Sequence, residues 1–260
     1  MLLLAIESAT DVAAVALADD SGVVAHVALA RGRRHAETLA PAVSFACRSA
    51  GIALGDLDAV GVDVGPGLFT GLRVGLATAK ALAFALGVPL VEAGSLEVLA
   101  LGAARCRAPG GTGLPLLIPV VDARRGEVFS ARFRAVGTGS AHQPARGTGS
   151  AVSAVSPVGE EGLWSPEALA ADLAGLDEPC LCLGDGARRY RDLLESVPGV
   201  EVAGPGATHP DVAALAALTL SRAVAGLGRP PSAVGARYLR PADVRINWEQ
   251  RAPARPAGGR

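Results

Sequence analysis

The sequence predicts an α/β protein built from two related half-domains. Three short apolar runs near the start, Leu2–Ile6, Val12–Ala18 and Val23–Leu29, are separated by turn residues, a spacing typical of antiparallel hairpins. Segments with helical and strand character then alternate along the chain, which indicates a mixed sheet layered with helices. A strand–turn–strand pattern recurs in the second half, and this internal similarity predicts that the second half-domain is a smaller relative of the first.

After the hairpins, the periodicity of apolar residues predicts a helix over about 35–50, with Leu39 and Val43 on its buried face. Pro41 within this segment should kink the helix or remove one of its hydrogen bonds. The pattern then predicts, in order, a strand at Leu57–Val64, a helix at Gly71–Leu86, a strand at Val88–Val91 and a helix at Ser95–Ala104.

The second half repeats the opening pattern. Leu116–Val121 is an apolar run that ends at Asp122, and after a polar turn Gly126–Arg134 alternates apolar and polar residues like a half-buried strand. The remaining predicted elements are a strand at Pro179–Leu183, a helix at Ala187–Val197 and a helix at Pro210–Gly226, with Pro210 at the first helical position.

Composition sets the predicted domain limits. The segment Ala108–Gly113 is rich in proline and glycine, so we place the boundary there, with one lobe over 1–108 and the other over 109–244. Residues 137–160 contain Gly-Thr-Gly-Ser-Ala twice, which predicts a mobile insertion, and the polar, proline- and glycine-rich residues 245–260 are predicted to be a disordered tail.

Bulk properties exclude several classes of protein. The formal net charge of −1 gives no overall electrostatic basis for binding nucleic acid or a membrane. The opening residues lack a basic leader, and the longest apolar stretch, Val74–Val91, is interrupted by Lys80, Gly87 and Pro89, so we predict a cytosolic protein without a membrane span. Cys180 and Cys182 alternate along a predicted strand and are interpreted as small buried hydrophobes rather than a metal or redox pair.

The segment Gly65–Gly75, which reads Gly-Pro-Gly-Leu-Phe-Thr-Gly-Leu-Arg-Val-Gly, joins a predicted strand to a predicted helix. It does not match a phosphate-binding loop, because Gly71 is followed by Leu72 and not by lysine. A dinucleotide fingerprint would need a glycine where Thr70 stands. The preferred interpretation is a tight turn capped by Thr70.

The helix that follows is apolar nearly all round, although Arg73, Ala77, Lys80 and Phe84 share one face. Such a helix should be covered on more than one side. Two interpretations remain open: the helix is buried within its own domain, or another protein covers part of it.

Two acidic turns, Glu7–Asp11 and Asp122–Gly126, follow predicted core strands. Acidic residues in such turns can hold Mg²⁺ beside phosphates, which makes Glu7, Ser8, Thr10 and Asp122 candidate phosphate-loop residues; the alternative is ordinary turn hydrogen bonding. No catalytic residue and no metal site is predicted, because none of the four histidines has ligand spacing and no Gly-x-Ser-x-Gly motif is present.

Ala5–Thr10, Gly65–Arg73 and Asp122–Phe129 together closely resemble the TsaB (YeaZ) family, and Gly184–Ala187 and Tyr238–Arg240 also fit it. The resemblance covers about residues 1–240. It implies an actin-like ATPase (ASKHA) fold made of two ribonuclease-H-like lobes.

The resemblance further implies a non-catalytic, cytoplasmic subunit required to form N6-threonylcarbamoyladenosine on tRNAs that read ANN codons. Such a subunit forms a heterodimer with the catalytic subunit TsaD through helices of the first lobe, is joined by the ATPase TsaE, meets tRNA through the complex and forms homodimers when alone. ATP and metal belong to the partner subunits. The interface candidates are His35, Leu39, Val43, Gly71, Arg73, Val74, Gly75, Thr78, Ala81 and Leu82.

Two alternatives belong to other functional classes. The first is an actin-like enzyme that binds and hydrolyses ATP, and binding of ATP with Mg²⁺ to the isolated chain would favour it. The second is a glycoprotease-like metallopeptidase, which the histidine spacing disfavours.

Overall fold

Each half of the chain folds around its own β-sheet, as the computed structural model shows for residues 1–30, 34–107, 113–137 and 152–240. The first lobe contains, in chain order, β1 (Leu3–Glu7), β2 (Ala13–Asp19), β3 (Gly22–Leu29), α1 (His35–Ala50), β4 (Ala59–Asp63), α2 (Phe69–Leu86), β5 (Leu90–Ala93) and α3 (Ser95–Arg107).

The first sheet has the strand order β3-β2-β1-β4-β5. The hairpin strands β1, β2 and β3 are antiparallel, whereas β4 runs parallel to β1 and β5 parallel to β4. Strand β1 is therefore central, and all five of its residues are buried because helices cover both faces of the sheet.

The second lobe contains β6 (Leu116–Arg124), β7 (Glu127–Ser130), β8 (Phe133–Gly137), β9 (Val152–Pro157), β10 (Gly162–Trp164), α4 (Pro166–Leu173), β11 (Cys180–Leu183), α5 (Asp185–Arg189), α6 (Arg191–Glu195), β12 (Val200–Val202) and α7 (Val212–Val224). Its main strand order is β10-β7-β6-β11-β12, with β8 and β9 attached at the side of β6. Without that β8–β9 pair, the order and directions repeat those of the first sheet, which confirms the two ribonuclease-H-like lobes of the actin-like fold.

The last helix of each lobe packs against the sheet of the other lobe. Helix α3 lies against β6, β8 and β9, and α7 lies across the first sheet. A side chain at Gly61 of β4 would overlap Thr219 of α7, so the missing Cβ allows this close approach. One apolar core therefore joins both sheets through α3 and α7, while α1 and α2 enclose a separate core on the opposite face of the first sheet.

Most predicted elements are confirmed, but several boundaries were wrong. The segment Gly126–Arg134 is two strands, because the chain leaves β7 after Ser130 and enters β8 at Phe133 to pair with a different neighbour. The predicted helix Ala187–Val197 is divided at Tyr190 into α5 and α6. Pro210 is not helical: α7 begins at Val212, and the carboxylate of Asp211 caps it by accepting from the backbone N–H of Ala213.

The predicted mobile insertion at 137–160 is only partly tested. Residues 152–157 form β9, which pairs with β8 in an antiparallel ladder, so this part of the prediction was wrong. Residues 138–151 lie outside the described ranges, as do the predicted tail at 245–260 and most of the predicted lobe boundary. The predicted burial of Cys180 and Cys182 on a strand is confirmed, since both are buried on β11. Burial raises the pKa of Cys182 to about 12.

Candidate functional site

The first acidic turn lies at the end of β1 and is buried throughout Glu7, Ser8 and Thr10. Its polar groups bond to nearby backbone: the N–H of Ala9 donates to Glu7 Oε1 over 2.7 Å, and Ser8 Oγ donates to the carbonyl of Gly71 over 3.0 Å. The carbonyl of Thr10 is bonded to His35 Nε2 at 2.9 Å. These groups make the hydrogen bonds of a structural turn.

The glycine loop, residues 65–71, lies directly on this turn. The N–H of Leu68 donates to the carbonyl of Ala9 over 2.7 Å. Side chains at Gly67, Gly71 and Gly75 would each overlap an atom of Ser8 or Ala9, which explains the glycine spacing by close approach of two backbones. Thr70 does not cap the turn, so that prediction was wrong: α2 begins one residue earlier, at Phe69, and no side chain caps it.

Below the loop, Glu7 and Asp63 lie side by side at the ends of the paired strands β1 and β4. Both carboxyls are buried. Burial raises the pKa of Glu7 well above its usual range, and the neighbouring Asp63 raises it further. Burial also raises the pKa of Asp63, while hydrogen bonds from Ser95 and Gly65 and the positive charge of Arg237 act in the opposite direction.

The second acidic turn is held differently. The Asp122 carboxylate accepts from Arg124 Nη1 at 3.0 Å and Arg189 Nη1 at 2.9 Å, and also from the backbone N–H of Arg124. Its own N–H donates to Asp185 Oδ1 over 2.9 Å. Asp122 is thus neutralised by two guanidinium groups, and the structure does not bring it together with Glu7 through any bonded contact.

A cleft of about 480 Å³ opens between the glycine loop and the second turn. Its third wall is the segment 237–240, which ties the lobes together: the N–H of Arg237 donates to the carbonyl of Val64, and Arg240 donates to the carbonyl of Ala123. On the α2 side of the cleft, Arg73 stacks over the ring of Phe69 at 3.7 Å and bonds to Tyr238. The cleft wall therefore combines aromatic rings with guanidinium groups.

The outward faces of α1 and α2 form a second feature, the helix surface, defined as the exposed residues of these two helices. Phe84 is 82% exposed and Phe45 is 54% exposed. The prediction that Arg73, Ala77, Lys80 and Phe84 share a face is confirmed, since all four point away from the buried side of α2. Helix α2 carries no acidic residue.

Half of the predicted interface residues lie inside the lobe. His35, Leu39, Val43, Gly71 and Gly75 are buried against the first sheet, so their side chains do not belong to the helix surface. Arg73 and Ala81 are exposed, and Val74, Thr78 and Leu82 are half-buried along the flank of α2. Sequence reasoning missed Phe45, because its periodicity places it on the polar side of α1 and no apolar neighbour signals it.

By length and mean hydropathy, which is 1.3, α2 also resembles a membrane-spanning helix. A third of its residues are buried in the lobe, where Gly71, Gly75 and Ala79 face the sheet. Helices in the cores of water-soluble proteins share this composition.

Among the described residues, no three histidine, cysteine or acidic side chains cluster as metal ligands.

Comparisons with known proteins agree with this geometry. A family model described as "TsaD: tRNA N6-adenosine threonylcarbamoyltransferase" matches residues 8–163. A solved structure of YeaZ from Pseudomonas aeruginosa superposes with a TM-score of 0.73 at 26% identity, covering 92% of this chain and 99% of that one. The chain belongs to this family, in its TsaB (YeaZ) branch.

Curated relatives of the TsaB family match about half of the chain. The tRNA threonylcarbamoyladenosine biosynthesis protein TsaB of Escherichia coli is 35% identical over 134 residues, and that of Bacillus subtilis is 33% identical over 134 residues. These matches cover 52% of the chain, and the chain spans about half the length of each relative, 55% and 56%. A tRNA N6-adenosine threonylcarbamoyltransferase of Geotalea uraniireducens is 39% identical over 116 residues, which cover 37% of this chain and 33% of that protein.

Proposed function

We propose that this chain is a non-catalytic, cytoplasmic subunit for N6-threonylcarbamoyladenosine formation on tRNA and that it activates a TsaD-type catalytic subunit by pairing with it. The observation that carries the proposal is the helix surface. Phe45 and Phe84 project from two neighbouring helices, and α2 has only two charged side chains among its eighteen residues, which is typical of a surface that another protein covers.

The chemistry of the site supports a non-catalytic role. Glu7, Ser8 and Thr10 are bonded within a buried turn, and Asp122 is paired with two arginines. Catalysis by the partner can depend on this chain only if binding favours the active state of the partner, so the proposal requires differential affinity for that state.

The test of pairing is a charge placed on the helix surface. Phe84→Asp or Ala81→Asp should weaken the 1:1 complex with the TsaD of the same organism by about tenfold or more, because an unpaired carboxylate would be buried at the centre of the interface. Binding is measured by calorimetry, and tRNA modification is measured in a reconstituted reaction.

Val224→Asp is the matched control, because Val224 is 64% exposed at the end of α7, which lies on the opposite face of the first sheet. The control should bind and support modification like the unchanged chain. Full modification activity by a variant that no longer forms the complex would contradict the proposal.

A second part of the proposal assigns ATP and metal to the partner subunits. Its support is the position of the glycine loop, whose backbone lies against Ser8 and Ala9 and occupies the space over the first turn. Calorimetry with ATP and Mg²⁺ on the isolated chain should show no binding with a dissociation constant below about 1 mM, which corresponds to a binding free energy of about −4 kcal/mol. Tight binding or ATP turnover would favour the actin-like enzyme instead.

A further inference from the structure

Glu7 and Asp63 are neighbours in the register of the first sheet. Strands β1 and β4 are parallel, and Ile6 pairs with Val62, so the next residue of each strand stands beside the other on the same face. The exposed fraction is 0% for Glu7 and 1% for Asp63. Two carboxyl groups thus lie together where water does not reach them.

Each carboxyl has one oxygen with a partner and one without. Glu7 Oε1 accepts from the N–H of Ala9, and Asp63 Oδ1 accepts from the N–H of Gly65 over 2.7 Å and from Ser95 Oγ over 2.6 Å. Glu7 Oε2 and Asp63 Oδ2 are buried without a hydrogen-bond donor among the described residues. Two ionised carboxylates would offer only acceptors here, and burying unpaired charge is costly.

Few charges face this pair. Arg237, on the segment after the helices of the second lobe, acts on Asp63 through its charge, while its Nη1 is engaged with Glu161. From α1, His35 is engaged with Thr10. Between α3 and α7, Glu97 and Arg222 neutralise each other, and the α7 residue that lies against Gly61 of β4 is the neutral Thr219. Among the described residues, none of these groups is a cation in bonded contact with both carboxyls.

We propose that Glu7 and Asp63 share a single proton, with Glu7 Oε2–H donating to Asp63 Oδ2, and that this acid pair fastens the first turn to the glycine loop. One proton converts the two unpaired acceptors into a donor and an acceptor. The negative charge resides on Asp63, because Asp63 receives two further donors and Glu7 only one.

The pair supports the start of α2 from below. Asp63 accepts hydrogen bonds from Gly65 and Ser95. Glu7 accepts one from Ala9, whose carbonyl accepts from the N–H of Leu68 immediately before α2. Burial raises the pKa of both groups. The native chain therefore binds one proton more than the unfolded chain at pH values between the ordinary carboxyl pKa and the raised native one. The stabilisation is complete below the ordinary carboxyl pKa and is lost as pH rises through the native value.

The test compares the full chain with Glu7→Gln in urea unfolding across pH. The side-chain amide that this substitution introduces donates to Asp63 without needing the proton. Relative to Glu7→Gln, the unfolding equilibrium constant of the unchanged chain should rise by up to about tenfold per pH unit above the ordinary carboxyl pKa. Glu7→Ala, which leaves Asp63 Oδ2 unpaired, should be less stable than Glu7→Gln at every pH.

The infrared spectrum of the unchanged chain provides a measurement that does not depend on a variant folding. At neutral pH in D₂O it should contain the carbonyl stretch of one protonated carboxylic acid. Absence of that band would overturn the proposal, as would identical pH dependence of the unchanged chain and Glu7→Gln. Stabilisation of the unchanged chain by Mg²⁺ or Ca²⁺ alone at alkaline pH, lost in Glu7→Gln, would show a cation in place of the proton and would also overturn it.

Discussion

The missing side chain at Gly75 illustrates how a single position can fix the approach of two elements. Gly75 lies within α2, where alanine would be favoured over glycine by about 1 kcal/mol on helix propensity alone. A Cβ there would overlap Ser8 Oγ, although the Ser8 Cβ would remain at 3.1 Å. Packing therefore opposes propensity at this residue.

We expect Gly75→Ala to destabilise the chain, because overpacking in a filled core typically costs about 1–3 kcal/mol and exceeds the gain in propensity. Chemical denaturation measures the free energy of unfolding. Ser8→Ala should partly rescue Gly75→Ala, since it removes the overlapping oxygen.

Gly204→Ala is the matched control for this change, since a Cβ at Gly204 meets nothing within 4 Å and its φ is −68°. It should leave stability nearly unchanged. A Gly75→Ala chain as stable as the Gly204→Ala chain would show that the glycine is not required for packing.

The same residues show what sequence alone could and could not predict of the site. The motif Gly65–Gly75 was predicted correctly to join a strand to a helix. Its contact with Ser8 and Ala9 was not predicted, because it joins segments more than fifty residues apart. Turn hydrogen bonding around Glu7 and Asp122, one of the two interpretations left open, is present in the structure. The other interpretation, a phosphate loop, stays a prediction. The pairing of Glu7 with Asp63 follows only from strand register, which no local pattern encodes.

At the scale of elements, periodicity was most informative in the first lobe. Strands β1 to β5 and helices α1 to α3 were all predicted, with ends displaced by a few residues. The β8–β9 pair was not, because β9 begins within a segment whose composition resembles a linker. Helix α4 was also missed, although Ser165 as cap and Pro166 in the first turn are ordinary helix-start signals.

Exposure on a helix is likewise decided by tertiary neighbours. The apolar pattern of α2 left two interpretations open, burial in its own lobe or cover by another protein. The first applies to one face, where Ala79 and Ala83 are buried. The face that carries Phe84 is exposed to solvent, and its cover by another protein stays a prediction. The packing of α2 against the first sheet and α1 distinguishes these faces.

At the scale of the molecule, the exchange of α3 and α7 joins the two lobes into one core. Leu215 of α7 is fully buried and lies in the apolar cluster that contains residues of both sheets, such as Leu3 and Leu117. If one lobe unfolded, the sheet of the other lobe would lose the helix that covers its inner face. The two lobes should therefore behave as one cooperative unit.

We expect the chain to unfold in a single calorimetric transition and Leu215→Ala to cost about 2–5 kcal/mol without splitting it, because the cavity would lie between the lobes. Scanning calorimetry and urea denaturation give both quantities. Leu227→Ala, at an exposed site after α7, is the control and should leave the free energy of unfolding nearly unchanged. Two separate transitions would contradict shared cooperativity.

The composition of α2 determines how the proposed pairing responds to salt. An eighteen-residue helix with no acidic side chain and with a single arginine and a single lysine offers few ions for a salt solution to screen. Contact through alanine and phenylalanine depends instead on shape and on the release of water. The affinity of the proposed association through α2 should therefore change little with ionic strength, unlike that of complexes held by charge.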